Sequence, residues 1–307
     1  MSHALVIGEA LVDIVHDASG GIAEHPGGSP ANVALGLARL ERHAQLATWL
    51  GRDPRGHTIL DHLRASGVQV VPGSDAAERT STAEATLDAE GSATYTFDLL
   101  WSVPEVHLDD DLAVLHVGSI GATLRPGADA VAEIALAARE HATISYDVNA
   151  RPTIMGAPSE AEPLIERVAS RADVIKVADD DFRWLYSHLD PLDAAREWAQ
   201  QGPAIVVVTQ AEKGSTAFTS SGLEVHVPAA PVTVVDTVGA GDSYTSGLID
   251  ALWTANLLGA RKRERLRAIT SDELRTAMRF AARVAAITVS RPGADPPTRH
   301  DLVPDAS

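Results

Sequence analysis

The sequence contains no cysteine and only three lysines, Lys176, Lys213 and Lys262. The lack of cysteine excludes disulfides, thiolate zinc sites and a cysteine nucleophile, and it fits a reducing compartment. None of the lysines follows a glycine, so a P-loop is excluded, and no third glycine completes a dinucleotide fingerprint after Gly239 and Gly241. The histidines also lack the spacing of a zinc hydrolase.

Basic charge is scarce as well, because 25 Lys and Arg residues stand against 42 Asp and Glu residues and the formal net charge is −17. A surface this acidic repels nucleic acid and anionic membranes. The first residues lack the basic and apolar regions of a signal peptide, and no apolar run reaches the roughly 18 residues of a membrane span. The sequence therefore predicts a cytoplasmic protein that binds neither nucleic acid nor a membrane.

Strand-like and helix-like segments alternate along the chain. Apolar runs such as 204–209 are typical of strands buried on both faces, and residues 30–40, 54–66 and 159–171 are typical of the helices between them. This alternation predicts an α/β fold in which helices cover both faces of a doubly wound, mainly parallel sheet. We expect a single domain over residues 1–307.

Two segments, 12–26 and 80–102, interrupt the alternation and are typical of β-hairpins, with turns at 19–21 and 88–91. The economical arrangement is a small antiparallel sheet at the edge of the main sheet, which is either a lid over a site or a plain edge extension. The basic segment 261–267 is expected to be a solvated loop between two helices.

The segment 232–244 carries the strongest local pattern. It predicts a β-branched strand, a turn of small residues and then a helix, whose positive end leaves the amides of Gly239, Ala240 and Gly241 able to bind an anion. We refer to these three residues as the anion cradle. Asp242 at the helix entrance is a suitable acceptor for a hydroxyl proton. The alternative is a tight turn in which Asp242 only caps the helix.

Two further segments carry candidates for hydroxyl binding. Gly27 and Gly28 let a ligand approach the backbone before a helix on which Asn32 offers a donor and an acceptor. Asp13 directly follows an apolar strand, where carboxylates can hold vicinal hydroxyls. Taken alone, these residues also fit a glycine turn with a capping asparagine and a hairpin. Together with the anion cradle they predict a site that activates a sugar hydroxyl against a phosphoryl group.

In order and wording these segments resemble the ribokinase-like carbohydrate kinases of the PfkB family, and the resemblance covers the chain from Gly8 to Gly293. Residues 236–242 resemble the C-terminal signature of that family, and residues 27–32 resemble the N-terminal one. Within the family, residues 8–13, 28–32 and 146–152 are most similar to those of bacterial fructokinases.

The resemblance implies a ribokinase-like fold with a small β-sheet lid, and ATP-dependent transfer of the γ-phosphoryl group to a sugar, with D-fructose giving fructose 6-phosphate. Asp242 would be the general base, and the anion cradle would stabilise the migrating group. The residues implied for sugar binding are Asp13, Gly28, Asn32, Asn149 and Arg151, and those for nucleotide binding are Lys176, Thr209, Gly214, Gly239 and Gly241.

The resemblance also implies metal ions and a partner subunit. Mg²⁺ would be reached through water by Asp181, and a monovalent cation such as K⁺ would lie behind the loop that follows Asp236. A homodimer would form through the lids. The chain departs from the family where it has Ala178, Ala211 and Ala282, which bears on the metal and nucleotide contacts.

Other acceptors remain open from the sequence, namely ribose, a nucleoside or 2-keto-3-deoxygluconate, whose carboxylate Arg151 could hold. A non-catalytic regulator that binds sugar on the same fold is the alternative from another class. Such a protein would have no need of a base at Asp242.

Overall fold

The computed structural model of the chain describes residues 2–16, 21–87 and 93–303, so most of both predicted hairpin turns lies outside the described residues. The strands are β1 (His3–Ile7), β2 (Leu11–His16), β3 (Ile22–Gly27), β4 (Ala44–Ala47), β5 (Gln69–Val70), β6 (Thr82–Leu87), β7 (Ala93–Asp98), β8 (Leu112–Gly118), β9 (Thr143–Asp147), β10 (Val174–Ala178), β11 (Ile205–Thr209), β12 (Ser215–Thr219) and β13 (Glu224–Val227). The helices are α1 (Ser29–Arg39), α2 (Pro54–Ala65), α3 (Gly127–Ala138), α4 (Pro152–Met155), α5 (Pro158–Ala169), α6 (Asp179–Leu185), α7 (Pro191–Gln201), α8 (Ala240–Thr254), α9 (Arg263–Arg267) and α10 (Ser271–Val289).

The main sheet has nine strands in the order β13-β12-β11-β10-β9-β8-β1-β4-β5. All neighbouring pairs from β11 to β5 are parallel, and only the pairs β11-β12 and β12-β13 at one edge are antiparallel, so β12 is the reversed strand. The chain proceeds from β1 towards one edge and later from β8 towards the other, so the strand order reverses between β1 and β8. In such sheets ligands bind outside the carboxyl ends of the strands at this point.

Helices cover both faces of the main sheet, as the sequence predicts. Along β1, Ala4 and Val6 belong to the core that includes residues of α1, α2, α8 and α10, whereas Leu5 and Ile7 belong to the core that includes residues of α3, α5 and α7. This division follows from the alternation of side chains along a strand. The doubly wound α/β fold is therefore confirmed.

The two predicted hairpins form a separate four-stranded sheet in the order β3-β2-β6-β7. Each hairpin is antiparallel, but β2 and β6, which join them, are parallel, so the sheet is mixed and not antiparallel throughout. The reason is that both hairpins leave the core in the same direction and pair through their first strands. One face of this small sheet is buried through Val12 and Ile14, which belong to the core cluster that includes α1 and α2.

The structure corrects the strand expected at residues 232–235, which have no regular structure. The sheet edge beside β11 is occupied by β12 and β13, neither of which the sequence analysis identified. The amides of Val235 and Asp236 instead donate to the carbonyl of Val289 at the end of α10. Val232 and Val234 remain exposed, which explains how a β-branched run occurs without a strand.

The basic segment 261–267 is also not a solvated loop, because α9 occupies most of it. Arg263 donates to the buried carboxylate of Asp173 at 2.7 Å, so this arginine neutralises a charge inside the protein. Within the described residues, no helix combines the length and the apolar character that crossing a membrane requires.

Candidate active site

The carboxyl ends of five parallel strands lie side by side in the main sheet, and residues that follow these ends line a cleft of about 1180 Å³. These residues are Glu9 after β1, Ser119 after β8, Asn149 after β9, Asp179 after β10 and Ala211 after β11. The opposite wall comes from α8 and from one face of the small sheet. The sequence motifs, which are far apart in the chain, therefore meet at the switch point of the sheet.

Asp242 lies in the first turn of α8 and is held from α1 by two hydrogen bonds. The Ser29 hydroxyl donates to Oδ1 at 2.6 Å, and the Asn32 side-chain amide donates to Oδ2 at 2.8 Å. The predicted pairing of Asn32 and Asp242 in one site is thus present. The sequence analysis did not assign Ser29 to the site; Gly28 is the N-cap of α1, and the Ser29 hydroxyl binds the carboxylate of Asp242 instead of capping the helix.

Burial raises the pKa of Asp242 above that of an ordinary aspartate. The hydrogen bonds from Ser29 and Asn32 oppose this shift, while the negative charge of Asp147 adds to it and the positive charge of Lys176 opposes it. A carboxylate with a raised pKa is a stronger base than one in water, and it still borders the cleft. These are the properties required for taking a proton from an alcohol.

The anion cradle begins at Gly239, which has φ of +74° and is the N-cap of α8. This conformation and the close approach of Ala294, 2.7 Å from where a Cβ would lie, both require glycine. The amide of Ala240 donates to the carbonyl of Thr237 at 3.2 Å. The prediction that this amide is free to bind an anion is therefore wrong. Among the described residues, the amides of Gly239, Gly241 and Asp242 have no protein acceptor, and they are the donors left open at this end of the helix.

The predicted sugar-binding residues lie together at the other side of Asp242. Gly27 has no side chain, and a Cβ there would lie 2.1 Å from Oδ2 of Asp13, so the glycine makes room for this carboxylate. Gly28 has φ of +106°, and a Cβ would lie 2.5 Å from the carbonyl oxygen of Glu9. Asp13, Gly28 and Asn32 all border the cleft. Burial raises the pKa of Asp13, whereas the charge of Arg151 lowers it.

Asn149 and Arg151 lie on the loop after β9 and contact each other. The Arg151 guanidinium donates to Oδ1 of Asn149 at 2.8 Å and to the carbonyl of Ala150 at 2.9 Å. The Nδ2 atom of Asn149 is buried without a hydrogen-bond partner, and the residue has φ of +37°. Because an unpaired buried donor is costly, this amide group is prepared for a ligand acceptor.

Glu9 is a residue of the cleft that the sequence analysis did not identify as functional. Its Oε2 accepts a hydrogen bond from the Gly121 amide at 2.9 Å, and burial raises its pKa to about 7. The sequence signals at Glu9 are its place just after β1, next to Gly8, and its inclusion in the segment 8–13 that resembles bacterial fructokinases. Neither signal assigns a role to this side chain.

One face of the small sheet borders the cleft with an acid and two aromatic rings. The register places Asp13, Ala83 and Phe97 side by side on neighbouring strands, and Tyr95 is two residues from Phe97 on the same face. The Tyr95 and Phe97 rings are stacked, with centroids 6.1 Å apart and planes 5° apart. The sequence analysis identified Asp13 but neither aromatic residue.

The cleft continues beyond the anion cradle along predicted nucleotide-binding residues. Lys176, Thr209 and Gly214 border this part, and Gly214 has φ of +90°. Ala211 has φ of +47°, a backbone conformation that favours glycine over alanine. The remaining wall is apolar and comprises Val232, Val234, Val238, Ala282, Ala285, Ala286 and Val289.

The two candidate metal residues are engaged with the backbone. Asp181 accepts from the amides of Ala150 and Ala178, each at 3.0 Å, and its pKa is raised to about 6, mainly by burial. It does not border the cleft, which Asp179 and Asp180 do. Asp236 accepts from the amides of Val238 and Gly293, and these bonds lower its pKa. No group of three or more metal-binding side chains occurs in the part of the chain that the structure describes.

The model of the pfkB family carbohydrate kinases matches residues 1–301. A fructokinase from Klebsiella pneumoniae is 34% identical over 256 residues, which cover 80% of this chain and 83% of that protein. A solved structure of a fructokinase from Xylella fastidiosa with bound ATP shares the fold, with a TM-score of 0.82 and 24% identity over 95% of this chain and 93% of that chain. An aminoimidazole riboside kinase from Salmonella enterica has a TM-score of 0.75 and 27% identity over 95% of each chain. The site and these similarities lead to one conclusion: the chain belongs to the pfkB family of carbohydrate kinases.

Proposed function

We propose that this protein transfers the γ-phosphoryl group of ATP to the 6-hydroxyl of D-fructose. The observation that carries the proposal is Asp242, a buried carboxylate held by Ser29 and Asn32 beside open helix amides. The similarity to curated fructokinases supports fructose as the acceptor. A regulator without turnover would not need a base placed in this way.

In the proposed reaction the sugar hydroxyl oxygen attacks the γ-phosphorus, the bond from that phosphorus to the bridging oxygen breaks, and the hydroxyl proton passes to Asp242. Phosphoryl transfer depends mainly on positioning and on stabilising the charge of the migrating group. The amides of Gly239, Gly241 and Asp242 would supply that stabilisation together with the positive end of α8. Asp13, Asn32 and the unpaired amide of Asn149 would hold the other hydroxyls.

We further propose that Mg²⁺ arrives with the nucleotide, where it neutralises phosphate charge. Asp179 and Asp180 are the carboxylates at this part of the cleft, and both pair with Arg183, so the donor set fits an ion held mostly by phosphates and water. Asp181 would reach such an ion only through water. Asp236 stays ionised because of its backbone hydrogen bonds, which fits a K⁺ ion at its loop.

A second acceptor class, ribosides with a planar aglycone, is favoured by one specific observation. The stacked Tyr95 and Phe97 rings lie beside Asp13 on the same face of the small sheet. An aromatic surface of this kind can stack against a planar ring, whereas fructose could contact it only through its C–H groups.

Tyr95 is also 57% exposed to solvent, which supports a homodimer formed through the small sheets. We propose this assembly for the protein, together with a cytoplasmic location.

The test is a coupled assay of ADP release with ATP, Mg²⁺ and a panel of fructose, ribose, a nucleoside and 2-keto-3-deoxygluconate. We expect the largest kcat/KM for fructose, with phosphate found on its 6-hydroxyl. A higher kcat/KM for the nucleoside would assign the acceptor to the second class, the ribosides. The absence of turnover with every sugar in the panel would refute the proposed kinase activity.

The companion variant is Asp242→Asn. We expect it to bind fructose with nearly unchanged affinity but to lose a factor of about 10² to 10⁴ in kcat, because general base catalysis contributes that much. Sugar affinity is measured by calorimetry. A variant with full turnover would contradict the assignment of Asp242 as the base.

A further inference from the structure

A buried ion pair lies directly beneath the anion cradle. Asp147 at the end of β9 and Lys176 on β10 are register partners, and Nζ of the lysine is 3.3 and 3.2 Å from the two carboxylate oxygens. Their side chains are only 1% and 5% exposed. Such a pair is expensive to desolvate, so its position calls for a reason other than stability.

The helix that carries the base also holds this pair. Thr245 lies three residues after Asp242 on α8, and its hydroxyl donates to Oδ2 of Asp147 at 2.9 Å. The carboxylate of Asp147 is therefore fixed from two sides, by α8 and by the neighbouring strand. Displacement of α8 would move Asp242 and release this contact together.

The Lys176 ammonium contacts the anion cradle from below. A Cβ at Gly241 would lie 2.8 Å from Nζ, so this glycine leaves the space that the ammonium occupies. Within the described residues, Lys176 and Arg151 are the cationic side chains that border the cleft, and Arg151 lies with the sugar-binding residues. Lys176 is thus the cationic side chain placed at the cradle.

We propose that Asp147 and Thr245 are positioning residues that hold the Lys176 ammonium beneath the anion cradle, where it stabilises the charge of the migrating phosphoryl group. We call these three residues the lysine clamp. The inference rests on the proposed phosphoryl transfer and adds roles for Asp147 and Thr245, to which the sequence analysis assigns none. A lysine side chain is long and flexible, so fixing it before the reaction removes an ordering cost from the transition state.

An ammonium group has three donors and no acceptor. Among the described residues the hydrogen-bond acceptors of Nζ are the two carboxylate oxygens of Asp147, and Lys176 borders the cleft, so the ammonium keeps donor capacity for a ligand there. A neutral replacement of Lys176 would remove this charge and leave Asp147 unpaired. The double variant Asp147→Asn/Lys176→Met avoids that penalty because it removes both charges.

The central experiment is a double-mutant cycle on kcat with the variants Lys176→Met, Asp147→Asn and the pair. We expect Lys176→Met to lower kcat by about 10²-fold, as expected for one charge-stabilising donor, and Asp147→Asn to lower it by about 10-fold. If Asp147 acts through the lysine, Asp147→Asn has no further effect once Lys176→Met is present. Additive losses in kcat would overturn the positioning role.

The pH profile is a second readout, which reports whether the charge of Lys176 acts at Asp242. The charged groups that face Asp242 are Asp147, which raises its pKa, and Lys176, which lowers it, while Ser29 and Asn32 are neutral donors. In Lys176→Met the acid limb of kcat/KM is therefore expected at higher pH than in the wild type. An unchanged limb in a folded Lys176→Met variant would count against the clamp.

Thr245 offers the mildest test. Thr245→Val removes the hydroxyl at nearly constant shape and should lower kcat by about 2- to 10-fold, the value of one hydrogen bond, whereas Thr245→Ser should restore most of the loss. Asp250→Asn is the matched control, because Asp250 is a buried aspartate on the same helix that pairs with Arg42 and Arg299 away from the cleft. It should lower stability without changing kcat or the pH profile.

Calorimetric binding of ATP separates failure of the clamp from failure of the proposed function. If the wild type phosphorylates no sugar, the kinase proposal fails, yet weaker ATP binding by Lys176→Met and Thr245→Val would still support the clamp. If the wild type is an active kinase but Thr245→Val and Asp250→Asn behave alike in kcat and in ATP affinity, the clamp is refuted.

Discussion

The Ser29 hydroxyl offers the most direct way to test how the protein sets the basicity of Asp242. Ser29→Ala would remove the 2.6 Å donor to Oδ1 and leave the buried carboxylate with Asn32 alone. A hydrogen bond to a charged group is worth about 1.5–3 kcal/mol, and one pH unit of pKa corresponds to about 1.4 kcal/mol. Because this bond lowers the pKa of Asp242, its loss should raise that pKa by about one to two pH units.

The assay is kcat/KM for the sugar as a function of pH. Since the base must be ionised, the acid limb should move to higher pH by the same one to two units, while the plateau at high pH recovers. Ser246→Ala is the control, because Ser246 is a buried serine of α8 whose hydroxyl donates to the carbonyl of Ser243, whereas the carboxylate of Asp242 is bound by Ser29 and Asn32. A limb that stays in place in Ser29→Ala, or one that moves equally in both variants, would refute the reasoning.

Two further variants test burial and backbone conformation in the cleft. Glu9 has a folded pKa of about 7 against 4.5 unfolded, so stability present below pH 4.5 is lost as the pH rises through 7. Glu9→Gln should therefore gain up to about 3 kcal/mol over the wild type in denaturant unfolding at pH 8 and nothing near pH 4; equal differences at both pH values would contradict this. Gly28→Ala should reduce both thermal stability and sugar affinity, because its Cβ would lie 2.5 Å from the Glu9 carbonyl; a fully stable variant would show that this loop adjusts freely.

Features that depend on local sequence could be predicted. The glycines before α1 and α8, the helices between buried strands and the two hairpins each follow from spacing and residue type, and the ends of parallel strands had to meet at one edge. For the same reason Asp13, Asn32 and Asp242 could be placed in one site. The family resemblance supplied the identity of the reaction.

Features that depend on long-range packing could not be predicted in this way. Residues 232–235 have the composition of a strand, but the sheet edge was already taken by β12 and β13. The pairing of Lys176 with Asp147 depends on the register of β9 and β10, which the sequence analysis did not predict. The amide of Ala240 donates to the carbonyl of Thr237 because of the turn geometry, which also could not be predicted from the motif. The stacked rings of Tyr95 and Phe97 likewise depend on which face of β7 borders the cleft.

The hydrogen bonds from Ser29 and Asn32 to Asp242 connect residues that are 213 and 210 positions apart. Closing so large a loop is favourable only once the intervening strands have assembled. During synthesis the early segments of a polypeptide leave the ribosome and fold first. A nascent chain that has formed α1 and half of the main sheet therefore still lacks Asp242, the residue that we propose as the base. In the proposed mechanism turnover requires the last third of the polypeptide to dock, so we expect incomplete or truncated products to consume no ATP.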